Sequence, residues 1–139
     1  MRYEFTVPGE PVGKGRPRFG NGRAFTPAKT AKYENLVRVA FANAYPDAVP
    51  TEGPVDLFIR AYFPIPKSFS KKKREKALAE QIAKISRPDL DNVIKAVCDG
   101  LNELAWKGDA QIYEMTAWKG YGEQPRLEVI ININEPDGR

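Results

Sequence analysis

The chain contains no histidine, a single cysteine and no apolar run near the roughly 20 residues that span a bilayer. Without an imidazole there is no Ser-His or Cys-His catalysis, no His-ligated zinc and no nuclease chemistry with a histidine base. Any metal must be held mainly by oxygen. The lone Cys98 excludes an internal disulfide, and the N-terminal MRYEFTVPGE lacks the basic-then-apolar pattern of a secretion signal. Both point to a reducing cytoplasm, with no membrane as partner. At 139 residues, 42% hydrophobic and 29% charged, the chain reads as one soluble globular domain, residues 1–139.

Charge is unevenly spread. Residues 1–96 carry 18 Lys/Arg against 10 Asp/Glu, whereas residues 97–139 carry 4 against 8. A basic first part suits a polyanion such as nucleic acid, although many soluble proteins share a modest positive charge without binding one.

Tyr3, Phe5 and Val7 alternate with polar residues, a half-buried strand ended by Pro8. The Gly- and Pro-rich stretch PGEPVGKGRPRFGNGRAF reads as a basic loop carrying Lys14, Arg16, Arg18 and Arg23. Thr26-Pro27 offers a hydroxyl cap and a helix start, followed by Tyr33, Leu36, Val37, Ala40, Phe41 and Ala44 at helical spacing. Val55 to Phe63 alternate as a strand well inside the sheet, stopped by Pro64 and Pro66. Ser70 can cap a helix over KKKREKALAEQIAK, whose opening cations oppose the helix dipole. A third helix follows, with Val93, Val97, Leu101 and Leu104 as its stripe. IYEMTAWK and RLEVIININ then alternate as two strands, predicted to form a hairpin. The expected fold class is α+β, a mixed β-sheet covered by helices in the order β-α-β-α-α-β-β.

The segment RPDLDNVIKAVCDG holds the chemistry. Pro88 biases Arg87 away from helix, so Asp89 arrives extended and Asp91 or Asn92 can cap the helix that follows. Asp89 and Asp91 then project near each other. Two such carboxylates repel, and with no histidine the natural neutraliser is magnesium or manganese. Lys95, four residues after Asp91, can pair with it or aim an ammonium at a scissile phosphate. Asp109, just before the strand near Gln111, is a third candidate ligand. Spacing alone leaves the bland alternatives open: helix capping, a solvated Asp-Lys pair, and for Asp99 a surface salt bridge.

Residues Arg87 to Ile112, RPDLDNVIKAVCDGLNELAWKGDAQI, resemble the signature of the RusA family of Holliday-junction resolvases, endonucleases often carried by bacteriophages and prophages. The likeness lies in D-L-D-N, the lysine four residues on, the D-G-L-N turn of helix and the closing D-A-Q. It extends to PGEPVGKGRPRF, to RAFTPAKTAKYE and to an Ile-rich last strand. Family members often carry two aspartates before A-Q, where this chain has Gly108 and Asp109.

The resemblance implies a RusA-like homodimer that nicks two strands of a four-way DNA junction symmetrically, in recombination and repair. It implies magnesium on Asp89, Asp91 and Asp109, with Lys95 assisting at the phosphate. The basic loop, Arg87 and the run Lys71, Lys72, Lys73, Arg74 and Lys76 are expected to attract DNA, although that run is equally a solvated face. Trp106, Trp118, Tyr113 and Phe69 are candidates for a subunit interface or base contact, against the usual core role of aromatics. The alternatives are a nuclease acting on flaps, forks or other branched DNA, and a phage DNA-binding protein that does not cut.

Overall fold

The computed structural model describes residues 1–134. Its elements are β1 (Arg2–Pro8), β2 (Arg18–Gly20), β3 (Arg23–Phe25), α1 (Ala28–Ala44), β4 (Val55–Phe63), α2 (Lys71–Leu78), α3 (Leu90–Leu101), a 3-10 turn (Asp109–Gln111), β5 (Ile112–Tyr121) and β6 (Arg126–Ile133). The main sheet is mixed, in the order β1-β6-β4-β5, with β4 parallel to β5 and antiparallel to β6. This is the α+β architecture the sequence predicts, and β4 is a central strand as expected.

The predicted hairpin of the last two strands does not form. β4 lies between β5 and β6 and makes a ladder with each. Alternation marks a strand but not its neighbour, and β4 gains more from two partners because Val55, Leu57, Ile59, Ala61 and Phe63 all point into the core. The short link after β5 crosses the end of β4, where the Gly122 N–H donates to the Phe63 carbonyl at 3.0 Å.

Other boundaries shift for local reasons. The basic loop contains the small antiparallel hairpin β2–β3, turning at Asn21-Gly22, both with positive φ (51° and 75°). Asn-Gly is a strong two-residue hairpin signal that the composition of the loop had masked. The Thr26 cap is not made: Pro27 occupies the cap position without a side-chain bond, and the Thr30 hydroxyl instead accepts from Gly15 N at 2.9 Å. α2 keeps its Ser70 cap on Lys73 N but stops at Leu78, where Glu80 turns left-handed at φ 60°, rather than running to Lys84. At α3 the cap position belongs to Asp89, not to Asp91 or Asn92. Leu104 falls in the turn beyond it.

One face of the sheet carries the core. Tyr33, Val37 and Phe41 of α1 and Val93, Val97 and Leu101 of α3 pack with the inward residues of β1, β4 and β6. α1 and α3 cross closely at Gly100, where an added Cβ would stand 2.9 Å from the Glu34 carbonyl oxygen. Among the described residues no helix is long and apolar enough to cross a membrane.

Candidate active site

The buried stripe of α3 turns the opposite side of the helix outward, and that side begins with the aspartates. Asp89 is extended at the cap position (φ −64°, ψ 140°) without a capping bond, and Asp91 lies in the first turn. Both sit at the positive end of the helix dipole, which favours anions. Lys95 Nζ stands 3.8 Å from Asp91 Oδ2, with side chains 62% and 69% exposed. That spacing is the predicted pairing, loose and solvated, so each partner can exchange it for another at little cost.

The basic loop lies against the first turns of α3. Lys14 N donates to the Asn92 carbonyl at 2.8 Å. Gly13 permits the approach, since a Cβ there would stand 2.8 Å from Pro88 Cβ. The Lys14 ammonium is engaged by Asp99 at 2.5 Å and Glu34 at 3.0 Å, tying the loop to both α3 and α1. Burial lowers its pKa, yet the two carboxylates outweigh burial and leave it above the ordinary lysine range. Asp99 is thus a salt-bridge residue, but its partner is Lys14 of the basic loop and not a neighbour on the surface of its own helix.

A cleft of about 620 Å³ opens where loop and helix meet, lined by Gly13, Lys14, Arg16, Arg87, Asp89 and Asn92 among others. Three predicted DNA contacts, Lys14, Arg16 and Arg87, therefore share a wall with a predicted ligand, and of these Lys14 has its ammonium already paired. The Arg87-Pro88 peptide is cis. Arg23 is exposed on β3 and Arg18 lies on β2. Lys71, Lys72, Lys73, Arg74 and Lys76 are exposed along α2, with Lys73 Nζ 4.2 Å from the centre of the Phe69 ring.

Asp109 is held separately. Its Oδ1 accepts from Trp106 Nε1 at 2.8 Å, and Gln111 fastens the turn by donating to the Thr51 and Gly53 carbonyls at 2.8 and 3.0 Å. Trp106 is therefore a core residue, 0% exposed, and not a surface for a partner. Trp106 and Gln111 are the positioning residues that spacing missed; the nearness of both to Asp109 in the sequence was the available signal. Trp118 is covered by Arg60, 4.1 Å from its ring, and Phe69 packs edge-on to Tyr121. Tyr113 remains 58% exposed.

Burial, then the charges of Asp109 and Asp99, push the Cys98 thiol up to about 12. Among the described residues no three acidic, cysteine or histidine side chains group closely enough to hold one ion. Asp89 meets the basic cleft, Asp91 meets Lys95 and Asp109 meets Trp106, but the side chains as placed do not converge. The donor chemistry, carboxylate oxygen alone, suits a hard divalent cation.

Two comparisons bear on this arrangement. A protein described as uncharacterized protein YqaN, from Bacillus subtilis (strain 168), is 41% identical over 134 residues, covering 92% of this chain and 94% of its own. Residues 8–132 match the family described as endodeoxyribonuclease RusA, a span that includes the basic loop, all three aspartates and Lys95. The chain belongs to the RusA endodeoxyribonuclease family.

Proposed function

We propose that the protein is a divalent-metal-dependent endonuclease that resolves four-way DNA junctions by paired symmetric nicks, working as a homodimer. The observation that carries this reading is the cleft that sets Arg16 and Arg87 beside Asp89. Guanidinium groups draw in a phosphodiester, while a carboxylate at that spot repels it unless a cation intervenes. Asp89 and Asp91, joined by Asp109 once its side chain turns toward them, would hold magnesium or manganese, which when bound neutralises the carboxylates and acidifies the attacking water.

The remaining work falls to the chain itself. Lys95 can leave its loose pairing with Asp91 to meet charge growing on the phosphate. The exposed N-terminus of α3 adds the positive end of its dipole. Arg18, Arg23 and the α2 cations extend the attraction along the DNA arms. Lys14 acts mainly by shaping the loop, since Glu34 and Asp99 already occupy its ammonium. A two-fold dimer with one site per subunit matches the two-fold symmetry of the junction.

Cleavage of labelled four-way junction, flap and plain duplex, with magnesium, manganese or EDTA, tests the reading. Paired junction nicks that disappear in EDTA and in Asp91→Asn, with binding retained, are the expected result. Faster cutting of flaps would move the substrate to other branched DNA, and tight binding without any cleavage would refute the nuclease.

A further inference from the structure

Between α2 and α3 residues 82–88 have no regular structure, and among the described residues no backbone–backbone hydrogen bond begins or ends in that stretch. Backbone groups without backbone partners must find side chains or water. Two lysines meet this stretch, one at its backbone carbonyls and one at a side-chain hydroxyl. Lys119 lies on β5 opposite Ala61, on the core side of the sheet, and donates from Nζ to the carbonyls of Ser86 at 2.7 Å and Pro88 at 2.8 Å. Lys84 donates to the Ser86 hydroxyl at 2.7 Å, its ammonium 4.9 Å from the centre of the Phe63 ring.

Among the described residues neither ammonium forms a salt bridge. Burial first, and then the charge of Lys119, hold the Lys84 ammonium below the ordinary lysine range, with Glu10 opposing. Two neighbouring cations in salt bridge with no carboxylate among the described residues are a poor way to gain stability, but an ammonium has three donors and can bridge two carbonyls. The bridge ends where it matters. The Pro88 carbonyl and the Asp89 N–H belong to one peptide plane, so holding the carbonyl sets the plane from which Asp89 projects. Asp91, inside the helix, needs no such support. Asp89, outside it and without a capping bond, does.

We propose that Lys119 is a positioning residue that bridges the Ser86 and Pro88 carbonyls and thereby aims Asp89 into the cleft beside Arg16 and Arg87. The consequence for cleavage rests on the nuclease reading above, whereas the bridge can be tested without it. In wild-type protein, 15N NMR should show the Lys119 ammonium protons exchanging more slowly than those of exposed Lys71; equally fast exchange overturns the bridge. In K119M the single-turnover rate on saturating junction should fall roughly 10-fold or more while junction affinity stays within about threefold. K119R, which keeps donors and charge, should recover most of the rate. An unchanged rate in K119M, affinity lost in step with rate, or a K119R variant as slow as K119M each overturns the positioning role. Should wild-type protein cut no junction, the nuclease reading fails, and hydrogen exchange at Asp89–Asn92 in K119M still decides the bridge: faster exchange supports it and no change refutes it. Should K119M not fold, the wild-type ammonium signal and K119R decide.

Discussion

Helices α2 and α3 follow one another in the chain, and both begin on charged residues, cations in α2 and carboxylates in α3. α2 buries only Ala77, is capped by Ser70 and opens with lysines that its own dipole disfavours. α3 buries Val93, Ala96, Val97, Cys98, Gly100 and Leu101, and its first-turn Asp91 agrees with its dipole. A helix fixed by six buried positions can hold polar groups at defined places. A helix lying on the surface can present charge to a polyanion whose shape varies. On the proposed function, aspartate chemistry falls to the first and diffuse attraction to the second.

The sharpest test of that contrast is activity. Asp91→Asn should lower junction cleavage on the order of 10²–10³-fold while binding holds, as for loss of one electrostatic group in a preorganised site. Single-turnover assays alongside gel-shift titration measure both. Next comes stability under urea: Leu101→Ala in α3 should cost roughly 2–5 kcal/mol, and Leu78→Ala, on the half-exposed end of α2, within about 0.5 kcal/mol. Equal costs would break the comparison.

Lys14→Met removes the tie between the basic loop and helices α1 and α3, at roughly 1–3 kcal/mol, because Glu34 and Asp99 lose a charged partner. The pH dependence has a definite sign. The folded pKa of Lys14 is raised, so its contribution is full below the unfolded lysine pKa and fades as pH climbs through the folded value. The gap between wild type and Lys14→Met in urea melts should therefore narrow at strongly alkaline pH.

Neutralising Lys71, Lys72 and Arg74 to Gln should leave stability within about 0.5 kcal/mol. The same variant should weaken junction binding, and the slope of log affinity against log salt should shrink by about 0.9 for each phosphate that is no longer neutralised. An unchanged slope would make α2 a merely solvated face. The smallest effect concerns Cys98. With its thiol pushed up to about 12 by burial and then by Asp109 and Asp99, it should resist alkylation in the native state at mildly alkaline pH and react at once in denaturant. The fold prefers the protonated thiol, so Cys98 adds stability below the ordinary thiol range and loses it as pH rises toward about 12.

Much of this architecture is legible in the amino-acid sequence. Period-two and helical spacing mark β1, β4, β5, β6, α1 and α3, because a side chain's face depends only on its own backbone geometry. The absence of histidine, the paired aspartates and the lysine four residues on confine any metal to carboxylate oxygen, and D-L-D-N with D-A-Q carries the family resemblance. Strand neighbours are another matter. Nothing within β5 or β6 says that β4 stands between them, since pairing depends on which long-range burial is largest. Ending α2 at Leu78, the capture of Lys14 by Glu34 and Asp99, the turning of Trp106 inward to hold Asp109, and the hold of Lys119 on Ser86 and Pro88 all join residues far apart in the chain or depend on the packing around them. Local patterns are written in adjacent residues, whereas such pairings exist only once the sheet and its helices have brought separate segments to one place.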